Sequence, residues 1–192
     1  MKTGLFFGSF NPIHIGHLII ANFMATQTDL DEVWIVVTPQ NPHKERATLA
    51  NDYDRLHLVR LAVEDNPMIT ASKIEFGLPK PSYTIDTLTY LKEKYPTRDF
   101  ILIMGSDNLG NLHKWKNYEK ILAENKIYVY RRPAYEEGRL ADHDAITIYE
   151  APLMNISASY IRSCIYNSHS IQYLVSPEVF EYLESSTMYK KM

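Results

Sequence analysis

The chain has 192 residues, 45% of them hydrophobic and 22% charged, with a formal net charge of -3. That length favours one domain, spanning 1–192, which can bury a core without disulfide or metal staples. The negative balance excludes a global basic field, so a structural or nucleic-acid-binding role has little support and any phosphate must be held by a local site.

In chain order, Thr3 to Gly8 is a short apolar run ending in Gly and reads as a buried strand. Gly16 to Thr28 has helical spacing of Leu18, Ala21 and Ala25. Glu32 to Thr38 is a continuous β-branched run, and its lack of alternation predicts a parallel strand covered on both faces. Pro39 to Ala50 reads as a loop, Asp52 to Asp65 as an amphipathic helix, and Ile69 to Phe76 as extended chain. Thr84 to Tyr95 is a helix stopped by Pro96. Asp99 to Gly105 repeats the pattern of a strand ending in Gly. Tyr118 to Glu124 is helical, Lys126 to Arg131 a strand, and Ala145 to Tyr149 a weaker strand. Arg131 to Asp144 is a polar surface excursion, and Ser157 to Tyr166 and Pro177 to Glu184 are terminal helices. Strand and helix in alternation predict an α/β fold: a doubly wound, Rossmann-like parallel sheet with helices on both faces and a helical C-terminal portion.

Cys164 is the sole cysteine. It cannot pair within the chain, which points to a reducing, cytoplasmic setting. Set in an apolar run with no neighbouring His, it reads as a buried thiol, not a nucleophile. The sequence shows neither a signal-peptide pattern nor an apolar stretch long enough to span a membrane.

The segment Gly8-Ser9-Phe10-Asn11-Pro12-Ile13-His14-Ile15-Gly16-His17 joins the first strand to the first helix. Open α/β sheets bind ligands at the carboxyl ends of their strands, and a helix start offers unpaired N–H groups to an anion. Gly8 permits a tight turn, and Gly16 lets the helix begin beneath a bulky ligand. His14 and His17 share a face if the helix has begun there, and can donate to phosphate oxygens, more strongly when protonated. A zinc pair would need a third ligand at metal spacing, which the neighbourhood lacks. The usual Gly-rich phosphate-loop patterns are absent.

Two later segments add to this. In Ile156-Ser157-Ala158-Ser159-Tyr160-Ile161-Arg162, Ser157 is an N-cap candidate and Ser159 and Arg162 fall in the first turn. Hydroxyl, helix start and guanidinium make a second anion site, although a capped surface helix with a solvated Arg would read the same way. Gly105-Ser106-Asp107-Asn108-Leu109 closes a strand, where an Asp can accept from ribose hydroxyls. Trp115, flanked by His113, Lys114 and Lys116, is a partly exposed flat ring suited to stacking an aromatic ligand; a core Trp is the alternative.

Gly8 to His17 resembles the H-x-x-G-H signature of the nucleotidyltransferase superfamily, and Ile156 to Arg162 resembles its I-S-x-x-x-I-R motif. Gly105 to Leu109, His113-Lys114-Trp115, Ser82-Tyr83-Thr84-Ile85-Asp86-Thr87 and Pro42-His43-Lys44 resemble the nicotinate mononucleotide adenylyltransferase family, in the family's order. The resemblance implies AMP transfer from Mg-ATP to nicotinate mononucleotide, giving deamido-NAD and pyrophosphate, with Mg²⁺ held mainly by phosphate oxygens and water. It implies His14, His17 and Arg162 as catalytic groups, and Gly8, Ser9, Phe10, Gly16, Lys44, Ser157 and Ser159 around the ATP phosphates. It implies Tyr83, Thr84, Gly105, Asp107 and Trp115 around the pyridine nucleotide. Asn11 departs from the family's common Asp, and Ser9, Ser106, Ala158 and Ser159 are lesser departures. Two further readings stand beside this one: a transferase for phosphopantetheine or glycerol phosphate, and an inactive nucleotide-binding regulator. The sequence leaves assembly into a homo-oligomer open.

Overall fold

The computed structural model describes residues 1–39 and 49–190. Six parallel strands form its sheet: Lys2–Gly8 (β1), Glu32–Val37 (β2), Ile69–Ser72 (β3), Asp99–Gly105 (β4), Ile127–Tyr130 (β5) and Ile146–Tyr149 (β6). Their order is β3-β2-β1-β4-β5-β6, so the chain winds outward one way from β1 and then, from β4, the other way. The predicted weaker strand is a full member of the sheet, paired to β5 from Ile146 onward.

Side chains alternate between the two faces at the strand period of two. Phe6, Ile35, Ile101 and Ile103 pack on one face against Ile15–Gln27 (α1), Asp52–Val63 (α2), Ala158–Tyr166 (α6) and Pro177–Ser185 (α7). Leu5, Val36, Leu102 and Met104 pack on the other against Thr84–Lys94 (α3) and Tyr118–Glu124 (α5). Both faces of β1, β2 and β4 are therefore apolar, which is why these strands lack polar alternation in the sequence.

The helix starts follow local chemistry. Asn51 Oδ1 accepts from the Tyr53 N–H at 2.9 Å, and Ser157 Oγ accepts from the Tyr160 N–H at 3.1 Å. Ser176 caps α7, with Pro177 at the first helical position, where its missing donor costs nothing. The extended segment predicted over Ile69 to Phe76 stops at Ser72, and Ile74–Gly77 is a 3-10 turn. That turn carries Glu75 into the interior, where its partner Thr87 lies on α3. Ser106–Leu109 (α4) is a single helical turn that the sequence pattern did not resolve. Cys164 is a buried free thiol, as expected. No helix among the described residues is long and apolar enough to cross a membrane.

Candidate active site

The turn after β1 is built around a strained residue. Phe10 has φ +44, a left-handed conformation that costs a bulky side chain about 1–3 kcal/mol. Its ring turns inward, 3% exposed, and sits edge-on to His17 at 5.0 Å and to Phe6 at 5.7 Å. A Cβ on Gly8 would meet that ring at 2.7 Å, so glycine there makes room for it. Phe10 can therefore offer a phosphate its main chain but not an exposed ring.

α1 begins at Ile15, which makes His14 its N-cap and not part of its first turn. The two imidazoles nevertheless meet, stacked at 3.7 Å with 26° between planes. The His14 N–H donates to His17 Nδ1 at 3.3 Å, which puts the neutral ring's proton on His17 Nε2. His14 is 6% exposed, and its basicity is pushed down to about 4, first by burial and then by the positive charge of Arg132. The expectation that both imidazoles gain from protonation is thus corrected for His14: the buried ring is neutral at physiological pH, and its Nδ1 makes no hydrogen bond among the described residues.

Arg162 lies one residue beyond the first turn of α6. Its Nη1 donates to the Asn11 carbonyl at 2.8 Å and its Nη2 to Ser159 Oγ at 3.2 Å. Its Nε is buried without a partner among the described residues, so the guanidinium is anchored yet has donor capacity left. Ser157 Oγ is engaged in capping, and the hydroxyl hydrogen is what it retains as a donor. These residues, with Gly8, Ser9, Phe10, His14, Gly16 and His17, line one cleft of about 1050 Å³.

A second cavity of about 300 Å³ opens beside it, lined by Tyr83, Thr84, Gly105, Asp107 and the half-buried Trp115, together with Lys114 and Lys116. Tyr83 is the N-cap of α3 and makes no side-chain cap bond, so the first N–H groups of that helix lack an intrahelical partner. Lys116 pairs with Asp86 at 2.8 Å and lies 4.7 Å over the Tyr83 ring. Glu75, 1% exposed, forms part of the wall; its Oε1 accepts from the Thr87 hydroxyl at 2.7 Å and its Oε2 has no partner. Burial pushes its carboxyl up, toward the neutral form.

The two cavities share a wall made of Gly8, Ser9, Asp107 and Asn108, at the carboxyl ends of β1 and β4. These adjacent strands flank the point where the winding reverses, the position where doubly wound sheets bind ligands. Asp107 Oδ2 pairs with Arg132 at 3.2 Å, while its Oδ1 is buried without a partner among the described residues. A Cβ on Gly105 would lie 2.4 Å from that oxygen. Tyr130 also borders both cavities, with its hydroxyl pushed up to about 12 by burial and then by Asp107.

A family model described as cytidylyltransferase-like matches residues 5–164. A Flavobacterium psychrophilum protein named "Probable nicotinate-nucleotide adenylyltransferase" is 54% identical over all of both chains. The chain belongs to the nicotinate-nucleotide adenylyltransferase family, within the cytidylyltransferase-like group. A Cytophaga hutchinsonii relative of the same name is also 54% identical, over 98% of each chain. Among solved structures, the Plasmodium falciparum nicotinic acid mononucleotide adenylyltransferase complexed with NaAD shares the fold. Its TM-score is 0.84 at 20% identity, covering 98% of this chain and 97% of that one.

For this member of the adenylyltransferase family, every site residue expected from sequence lines one of the two cavities except Lys44, which lies outside the described residues with Pro42 and His43. Arg132 and Glu75 were missed, as was Arg55, which lines neither cavity but donates to the Ser9 carbonyl behind the β1 turn. Arg132 follows the end of β5 as Asp107 follows β4, and the strand-end rule would have found it. Glu75 is a lone charge between Ile74 and Phe76, and Arg55 falls on the apolar stripe with Val59 and Val63. A single charge inside an apolar pattern was the available signal for both.

Proposed function

We propose that the protein transfers AMP from Mg-ATP to nicotinate mononucleotide, releasing pyrophosphate and deamido-NAD. The observation that carries this is the shared wall: a donor-rich cleft and a ring-sized cavity bordered by Trp115 and two lysines meet at Gly8, Ser9, Asp107 and Asn108. Two bound nucleotides can join only where their phosphates touch. The triphosphate suits the cleft because His17, Arg162 and Ser159 there are donors. The pyridine ring suits the smaller cavity, against the face of Trp115. Its carboxylate finds the uncapped start of α3 and the positive charges of Lys114 and Lys116, while burial pushes the Glu75 carboxyl up and so weakens its opposition to an anion. The open oxygen of Asp107 accepts from a ribose hydroxyl.

The substrate 5′-phosphate is already an anion, so it attacks the α-phosphorus of ATP in line without a general base or a covalent enzyme intermediate. The P–O bond to pyrophosphate breaks as the new one forms. The protein contributes alignment, which can lower a barrier by about 7–11 kcal/mol, and donors for the charge growing on pyrophosphate. Among the described residues there is no group of three or more His, Cys, Asp or Glu side chains able to cage a metal. The donor set is that of an anion site, which fits magnesium arriving as part of Mg-ATP and neutralising phosphate charge.

Pyrophosphate release is to be measured with ATP and, side by side, nicotinate mononucleotide, nicotinamide mononucleotide and phosphopantetheine. The acid pyridine nucleotide is expected to be the best acceptor by kcat/KM. A better rate with phosphopantetheine, or none with any acceptor, overturns the reading.

A further inference from the structure

Phe10 adopts a backbone conformation that persists only where its surroundings leave no alternative. The residues on either side of it are fixed from outside the turn. Before it, the Ser9 carbonyl accepts from Arg55 Nη1. After it, Asn11 Oδ1 accepts from the Tyr189 hydroxyl at 2.8 Å and from the Ala50 N–H at 3.1 Å. Neither Arg55 nor Tyr189 lines either cavity.

Arg55 is fully buried, and each of its five N–H hydrogens meets an acceptor. Nε donates to the Ala50 carbonyl at 3.1 Å, and Nη1 to Thr38 at 3.0 Å as well as to Ser9. Nη2 donates to Asp52 Oδ1 at 2.7 Å and to the Pro39 carbonyl at 3.4 Å. An apolar side chain could fill that space without a desolvation cost. It could not set the direction of the Ser9 carbonyl. In a trans peptide C=O and N–H point opposite ways, so a Ser9 carbonyl drawn inward to Arg55 turns the Phe10 N–H toward the cleft.

We propose that Arg55 and Tyr189 are positioning residues for the triphosphate, clamping Ser9 and Asn11 so that the Phe10 N–H, and through the Phe10 ring the His17 imidazole, face the phosphates. This rests on the triphosphate occupying the cleft at that turn. A lysine at 55 keeps the charge but cannot span four carbonyls, and a phenylalanine at 189 keeps the ring and loses one hydroxyl.

The test compares Arg55→Lys, Tyr189→Phe and the double variant with the wild-type full chain, by thermal unfolding, by kcat and by KM for each substrate. Tyr189→Phe is expected to unfold cooperatively near the wild-type midpoint. In both single variants kcat/KM for ATP should fall about ten-fold or more, with KM for nicotinate mononucleotide within about two-fold. The double variant should lose little beyond the worse single one, because both act on one turn. A folded Tyr189→Phe with wild-type kcat/KM for ATP overturns the proposal. So does a loss that raises both KM values equally. If Arg55→Lys does not fold, Tyr189→Phe decides alone. If the wild type forms no product, the reaction assignment fails instead, and the clamp is judged by ATP affinity in titration calorimetry, with the same loss expected.

Discussion

His17 reaches the cleft on a half-exposed ring whose Nδ1 takes the His14 N–H, so its Nε2–H is the donor that can meet a phosphate. His17→Ala is expected to lower kcat about a hundred-fold or more, as loss of one transition-state donor does, with the circular dichroism spectrum unchanged; near-normal turnover in the folded variant would remove the assigned role. Trp115→Ala should raise KM for nicotinate mononucleotide well above its effect on KM for ATP, since the ring borders only the smaller cavity. His14 acts on stability. Its ordinary pKa is 6.5 and its folded value about 4, so between those pH values the unfolded chain takes a proton that the folded one refuses. Stability therefore falls as pH drops from 6.5 to 4, by about 3 kcal/mol at most. Denaturant unfolding across that range should show the slope, and His14→Gln should flatten it. The motif histidines were legible in the sequence as a pair; the burial of His14 and the charge of Arg132 that adds to it were not, because Arg132 comes from a distant segment.

At the scale of the element, α6 presents Ser159 and Arg162 to the cleft, and its start is fixed by Ser157. Ser157→Ala is expected to cost about 1 kcal/mol, a fall of about 2–4 °C in the melting midpoint for a chain of this size, and to raise KM for ATP as the helix start frays. A Ser157→Asp variant, which restores a cap, should recover the midpoint. The Ser157 cap could be read directly, because capping is local chemistry. The turn at Ile74–Gly77 could not, since it exists to bring Glu75 to Thr87, a partner twelve residues on. The same holds for Asn11: its sequence neighbours give no hint that its amide oxygen receives Tyr189 from the far end of the chain.

For the whole molecule, the continuous apolar runs of β1, β2 and β4 announced a sheet covered on both sides, and strand–helix alternation announced parallel winding. Strand order, and with it the juxtaposition of β1 with β4, depends on nonlocal pairing that composition does not encode. That juxtaposition has a further consequence for how the molecule lets go. With the substrates placed as proposed, a dinucleotide product would straddle the Gly8–Asp107 partition and hold both compartments at once, each half raising the effective concentration of the other. Deamido-NAD is expected to inhibit competitively against either substrate, and pyrophosphate against ATP alone, in initial-rate product-inhibition plots. Product release is then expected to slow turnover, seen as a burst of product ahead of the steady state, and the intimacy that makes bond formation possible becomes the brake on the next cycle.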